Sequence, residues 1–161
     1  MAQKKSKSST SLRIVNRRAW HEYHILEKLE VALVLRGSEI KSIRNGQVSL
    51  TQGYARIEPS DGGLYLYDVD IALYSHAGPT NQHEPKRPRK LLAHKRQIKQ
   101  LMEKNQDRGT TLIPLAIYFV RGLAKLELAV AQGKKSYDKR QNLKTKEADR
   151  DMRRAMTRKR L

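Results

Sequence analysis

Residues 23–35 read Tyr-His-Ile-Leu-Glu-Lys-Leu-Glu-Val-Ala-Leu-Val-Leu. Tyr23, Ile25, Leu29, Val31, Leu33 and Leu35 fall on alternate positions, with Glu27 as the one interruption. His24, Lys28, Glu30 and Arg36 take the positions between. In an extended chain successive side chains point to opposite faces, so this period of two predicts a long, bent strand buried on one side. Such a strand needs partners, and the rest of the chain supplies them.

Downstream, Gly37-Ser38-Glu39 ends the strand. Ser38 is a good N-cap for a short helix, with Ile40 and Ile43 on one face and Gly46 as a stop. A strand is predicted around Tyr54–Glu58. The turn cluster Pro59-Ser60-Asp61-Gly62-Gly63 then leads into a strand over Leu64–Leu73, with Tyr65, Tyr67, Val69 and Ile71 sharing a face. Residues 76–90 hold Pro79, Pro85 and Pro88 and read as a loop. A second helix is predicted over Leu91–Lys104, with Leu91, Ile98, Leu101 and Met102 apolar. Leu112–Val120 is a buried strand. It turns at Gly122 into Leu126, Leu128 and Val130, which alternate with Lys125, Glu127 and Ala129. The reading is mainly β: several antiparallel strands and two short helices, arranged as a small barrel. Full closure removes exposed edges, and barrels of the OB type commonly bind single strands or irregular RNA.

Charge says where such a fold would work. The chain has 161 residues, with 34 Lys and Arg against 16 Asp and Glu. The excess is uneven: residues 14–83 are close to neutral, whereas residues 1–13 carry no acidic group and residues 133–161 are strongly basic. A near-neutral body with basic ends fits a partner that is a polyanion. An anionic membrane fits less well, because the basic segments lack a broad apolar face. Cysteine is absent, which excludes disulfides and thiolate metal sites and suits a reducing compartment. The basic, Ser-rich start has no apolar core of a secretory signal, and the expected location is the cytoplasm. Residues 134–161 contain no Pro or Gly, and Asp151 and Arg154 are spaced to pair on a helix. So polar a segment is predicted to be disordered alone and to become helical on a phosphate-rich surface.

Several strings match one family. They are Asn16-Arg17-Arg18-Ala19 with His21-Glu22-Tyr23, GSEIKSIRNGQVSL at 37–50 with Gly53-Tyr54-Ala55, RKLLAHKRQI at 89–98, GTTLIPLAIYF at 109–119 and GKKSYDKR at 133–140. Together they resemble the SsrA-binding protein (SmpB) family over roughly residues 12–155. The first string resembles that family's first strand, and 89–98 its second helix. The resemblance implies a closed six-stranded antiparallel barrel, OB-like, with short peripheral helices. It divides the chain into a disordered basic arm at 1–11, an RNA-binding barrel at 12–133 and a basic tail at 134–161. The implied partners are the tRNA-like domain of transfer-messenger RNA and the ribosome at the small-subunit decoding centre and mRNA channel. Elongation factor Tu is a further partner of the delivered complex. No enzyme activity, cofactor, metal or membrane is implied. Two departures stand out: Glu30-Val31-Ala32 where the family usually carries a glycine, and Ala93 in place of a leucine.

The resemblance places RNA contacts at Asn16, Glu30, Leu92, His94 and Lys125, and Arg17 and His21, in the motif beside Asn16, are read as further RNA contacts. Chemistry agrees: Asn can donate to phosphate, a strand Lys can pair with it, and His offers a ring for stacking. Arg87, Arg89, Lys90, Lys95 and Arg96 form the densest internal basic cluster and are read as phosphate contacts. Gly133, Lys134, Lys135, Tyr137, Asp138, Lys139 and Arg140 resemble the tail segment that reaches the ribosome. Two other functions fit parts of the pattern. A ribosomal protein also pairs a small barrel with basic extensions. A metal nuclease could use Asp68 and Asp70, a D-x-D pair read as lying on the outward face of one strand.

Overall fold

The computed structural model describes residues 12–105, 109–135, 137–138, 147, 150–152, 154 and 156. The N-terminal arm at 1–11 lies outside the described residues, as do Lys139 and Arg140. In chain order the elements are β1 (Ile14–Val15), α1 (Arg17–Glu22), β2 (Tyr23–Leu33), α2 (Gly37–Arg44), β3 (Val48–Ser49), β4 (Tyr54–Ile57), β5 (Leu64–Tyr67) and β6 (Asp70–Ile71). Then follow a single 3-10 turn at Pro79–Asn81, β7 (Arg89–Leu92), α3 (Lys95–Asn105), β8 (Thr110–Val120) and β9 (Leu123–Gly133).

Seven strands form one antiparallel sheet in the order β1-β8-β4-β5-β7-β2-β9, and β9 also pairs with β8. Six of the strands therefore pair in a cycle, although the β4–β8 link is the single registered pair Ala55 and Leu112. β1 is a seventh strand laid on β8, through Ile14 opposite Ile117. β3 and β6 pair separately. The result is a mainly β fold, but seven strands rather than six make the main sheet. Leu64, Leu66, Leu91, Leu112, Ile117, Leu126 and Leu128 are all buried in its core.

The opening stretch is one strand, as its period predicts, but not one face. The β2–β9 register slips between Ile25 and Glu27, so Leu26 is an extra residue in the ladder. A bulge resets the alternation. Tyr23 and Ile25 pack with Ala19, Ile113, Leu115, Ala129 and Ala131 in a second cluster, beneath α1. Leu29, Val31 and Leu33 belong to the main core. Glu27 pairs with Lys104 at the end of α3. β8 shifts register in the same way between Pro114 and Ala116. Ile113 and Leu115 thus serve the second cluster, and Leu112 and Ile117 the first. The bend lies at Leu26; Ala32 is an ordinary strand residue paired to both Leu92 and Lys125. The β8–β9 turn is tight: Arg121 (φ 49°) and Gly122 (φ 82°) both have positive φ, as a two-residue hairpin of the twist-matched type requires.

Four local predictions are corrected. Residues 17–22 form a helix, not a first strand, because Asn16 caps it and Ala19 anchors it. Ser38 does not cap α2. The carboxylate of Glu39 instead accepts from the backbone N–H of Arg36 at 2.6 Å, and Ser38 turns inward to His83. Residues 64–73 are not one strand: Asp68 has φ 53°, which resets the phase, so Leu64 and Leu66 point inward and Tyr65 and Tyr67 do not. Asp68 therefore lies in the turn between β5 and β6 and Asp70 in β6, so the two do not stand on one strand. Finally, the helix predicted from Leu91 begins only at Lys95. Residues 89–92 are instead the strand that bridges β5 and β2, with Leu91 opposite Leu64 and Leu33. α3 starts where the Gln97 side chain accepts from the His94 N–H at 2.9 Å.

Candidate nucleic-acid interface

The outer face of β7, β2, β9 and β8 carries one registered row: Leu92 beside Ala32, Ala32 beside Lys125, and Lys125 beside Tyr118. Strand pairing alone puts these side chains on one surface, because opposite residues share a face. Glu30 lies two positions back along β2 on the same face. Lys125 reaches it at 3.0 Å, and the Tyr118 hydroxyl donates to its other oxygen. The hydrogen bond from Tyr118, then that from Lys125, holds the Glu30 carboxyl below the ordinary carboxylate range. Burial, with that bond to Glu30, pushes the Tyr118 hydroxyl up to about 12.

This row floors a groove of about 500 Å³ lined by Glu30, Ala32, Leu92, Ala93, His94, Gln97 and Lys125. Four residues named from the sequence, Glu30, Leu92, His94 and Lys125, thus arrive at one place from β2, β7, the loop after it and β9. Leu92 is 53% exposed, a large apolar side chain left open on the groove wall. Lys95 and Arg96 are exposed at the start of α3, directly after His94. Along the same sheet face, Arg13 pairs with Glu127 and lies 5.2 Å over the Tyr118 ring. Lys28 sits 3.3 Å from Glu127 and 4.5 Å over the exposed Trp20 ring. Cations beside open rings suit phosphates and unpaired bases. Tyr118, Arg13, Lys28 and Trp20 were not singled out from the sequence. The signal for Tyr118 was there: a hydroxyl-bearing ring in an otherwise apolar strand.

Other predicted residues lie elsewhere. Asn16 is buried, and its amide is fully used: it donates to the carbonyls of Leu50 (3.0 Å) and Pro114 (3.1 Å) and accepts from the Ala19 N–H (3.2 Å). Asn16 is the lock that ties α1 to β8. Arg17 is exposed and His21 half-buried on α1, at the far end of β2 from the groove. Lys90 is exposed, 3.5 Å from Asp61 and over the Tyr65 ring.

Arg89 also lies inside the protein. It is fully buried, donating to Glu39 at 2.8 Å and to the carbonyls of Val69 and Pro85, both at 2.7 Å. Arg87 covers the same carboxylate from outside, at 2.9 and 2.5 Å. Burial works to raise the Glu39 carboxyl, but hydrogen bonds from Arg87, the Arg36 N–H and Arg89 outweigh it and hold the group below its ordinary range. The Nε, Nη1 and Nη2 groups of Arg89 are all engaged inside the protein. Arg89 therefore lies in the core with Arg87 over it, and a basic cluster read as one surface divides between core and exterior.

The tail starts docked. The Lys134 N–H donates to the Glu22 carbonyl at 2.9 Å, and its ammonium to the Trp20 carbonyl at 3.0 Å. Gly133 and Lys135 are exposed, Tyr137 is exposed in a helical conformation, and Asp138 comes within 3.6 Å of His24. Farther on, the described residues 147, 150–152, 154 and 156 are each helical, and Arg154 reaches Asp151 at 3.9 Å. Among the described residues no group of His, Asp and Glu is arranged to hold a metal ion, and no helix is long and apolar enough to cross a membrane.

Fold and groove together define a class: a small, mainly β protein that presents cations, open rings and an exposed leucine on one sheet face. The comparisons narrow it. A family profile described as SmpB protein matches residues 13–158. An SsrA-binding protein of Carboxydothermus hydrogenoformans is 50% identical over 141 residues, covering 88% of this chain and 93% of its own. One from Syntrophobacter fumaroxidans is 46% identical over 162 residues, covering 99% of both. Among solved structures, a chain from "tmRNA-SmpB: a journey to the center of the bacterial ribosome" matches with a TM-score of 0.65 and 46% identity, over 77% of this chain and 85% of that one. The chain belongs to the SmpB family of SsrA-binding proteins.

Proposed function

We propose that this protein binds the tRNA-like domain of transfer-messenger RNA on the face centred on Glu30 and Lys125 and delivers it to the A site of stalled ribosomes for trans-translation. One observation carries the reading: Glu30, Leu92, His94 and Lys125, scattered through the sequence, line a single groove. The SsrA-binding relatives and the tmRNA-SmpB ribosome structure support it from outside the chain. Lys125 supplies charge for phosphate, and Glu30 accepts from a base amino group or orients Lys125. Leu92 and His94 offer apolar and ring surface to unstacked bases. Lys90, Lys95 and Arg96 extend the phosphate track, and Arg17 and His21 form a separate contact at the α1 end.

The tail then does a different job. Gly133 to Arg140 reaches toward the decoding centre, and the basic tail that begins at Lys134 occupies the empty mRNA channel as a helix. mRNA and tail compete for one groove, so the presence of the tail reports that the channel is vacant. The OB-like barrel is the rigid grip, elongation factor Tu rides in the delivered complex, and the work is cytoplasmic binding rather than catalysis. The test is a salt titration of binding to transfer-messenger RNA against an elongator tRNA. A preference that persists as salt rises supports the reading; equal binding with collapse at high salt overturns it.

A further inference from the structure

A second groove, of about 520 Å³, lies between the start of α2 and the loop after β6, and it shares no residue with the first. Arg36 and Lys41 stand on one wall, Tyr74 and His76 on the other, with Thr80 and Asn81 at the rim. No carboxylate lines it. Arg36 and Lys41 form no ion pair among the described residues, so both charges are open to a ligand. The Lys41 ammonium instead lies 5.1 Å over the Tyr74 ring, and the rings of Tyr74 and His76 sit 5.3 Å apart, tilted by 43°.

The loop is built rather than slack. The Gln82 side chain donates to the Tyr74 carbonyl at 2.6 Å and to that of Ala77 at 3.4 Å, and accepts from the Tyr74 N–H at 3.3 Å. Behind it, buried His83 joins the Ser38 hydroxyl (2.9 Å) to the Ile71 carbonyl (3.0 Å), pinning the loop to α2. Ser75 engages His76 Nδ1 at 3.0 Å, and Nε2 makes no hydrogen bond among the described residues. The rings are thus held in place without being consumed.

We infer that this groove is a second RNA site, which takes an unpaired nucleotide with its phosphate between Arg36 and Lys41 and its base on Tyr74 and His76. Two unpaired cations call for an anion, and open rings beside them call for a flat, apolar face. An unpaired nucleotide carries both, whereas a phosphopeptide leaves the rings idle and a lipid surface needs a projecting apolar edge that a concave site lacks. The volume is within the ~300–1,000 Å³ of small-ligand sites. The inference goes beyond the proposed function, because the nucleotide is bound away from the Glu30–Lys125 groove. It has two possible sources, transfer-messenger RNA itself and ribosomal RNA.

The experiment titrates the full-length, ¹⁵N-labelled protein with a short single-stranded oligouridine. The expected result is amide shifts at Lys41, Tyr74 and His76. The double variant Lys41→Ala/His76→Ala, with unchanged circular dichroism, should bind it at least about fivefold more weakly, the size of one lost base stack. In Lys125→Ala the amide shifts at Lys41, Tyr74 and His76 should titrate as in the parent, whatever becomes of binding at the Glu30 groove, so failure of this site and failure of the first groove read out separately. Two further arms compare parent and double variant on the isolated tRNA-like domain and on washed small subunits. A loss in either arm supports the site and names the source of its nucleotide. Shifts confined to the Glu30 groove, unchanged affinity in every arm, or displacement of the oligouridine by a phosphoserine peptide would each overturn the inference.

Discussion

Glu30 and Glu39 are each a carboxylate held by cations, yet they do opposite work. Glu39 has no exposed side-chain surface and is met by two guanidinium groups and a backbone N–H. Glu30 is 48% exposed and is met by one ammonium and one phenol. In the first cluster both carboxylate oxygens are engaged by guanidinium groups away from water, and desolvation makes each bond obligatory. In the second, water screens the same attraction and leaves it weak, so the charges remain available to a ligand. Burial, not residue type, decides whether a Glu–Arg or Glu–Lys cluster is a staple or a landing surface.

The sharpest way to break this contrast is Arg89→Ala. It strands the buried Glu39 carboxylate, and the expected loss is about 3–5 kcal/mol in urea unfolding. A shift of the urea midpoint no larger than that of Lys125→Ala would erase the distinction. Next in size is Asn16→Ala. It leaves the Leu50 and Pro114 carbonyls and the Ala19 N–H without their partner, with an expected cost of about 1–3 kcal/mol. RNA affinity should persist wherever the variant is folded; if affinity falls while stability holds, Asn16 is a contact after all.

On the exposed side the signs reverse. Lys125→Ala should leave the urea midpoint where it is, weaken binding to the tRNA-like domain about tenfold, and reduce the salt slope by about one. Truncation after Arg140 carries the contrast to the tail: RNA affinity should stay and tagging of stalled peptides should disappear.

The smallest effects are in pH. The folded value of Glu39 lies below its unfolded one, so its stabilisation is full above the ordinary carboxylate range and is lost as pH falls through the depressed value. Glu39→Gln should flatten that acid limb, and Glu30→Gln should barely touch it. At the alkaline end Tyr118 is raised from 10.0 to about 12, so its contribution is whole below pH 10 and is lost on the way to 12. An ultraviolet titration of tyrosine ionisation should show the Tyr118 value drop in Glu30→Gln; no change would mean that burial alone raises it.

Much of this molecule was legible before any coordinates. Alternation located β2, β8 and β9, because a strand half in a core and half in water must alternate. Charge distribution separated a near-neutral body from basic ends. Motif spacing pointed to the SmpB family and to Glu30, Leu92, His94 and Lys125. Phase was not legible. The bulges at Leu26 and Leu115 and the positive φ at Asp68 each move side chains to the other face without any change in composition. Residues 89–92 looked helical because Leu91 continues the apolar pattern of α3 and because 89–98 resembles a helix of the family. They are a strand because the gap between β5 and β2 has backbone groups to be paired.

What the sequence determined by itself was therefore which residues are apolar, which are charged and in what order, and from these the class of fold and of partner. Only the tertiary structure decided which of two neighbouring arginines faces water. Arg87 and Arg89 have the same chemistry, two positions apart on the same segment. The pairing of β7 with β5 puts Leu66 opposite Arg89 and points it into the core, where Glu39 waits. Sequence lists the charges; packing sets the dielectric around each one, and the dielectric decides whether a charge binds its own protein or a partner.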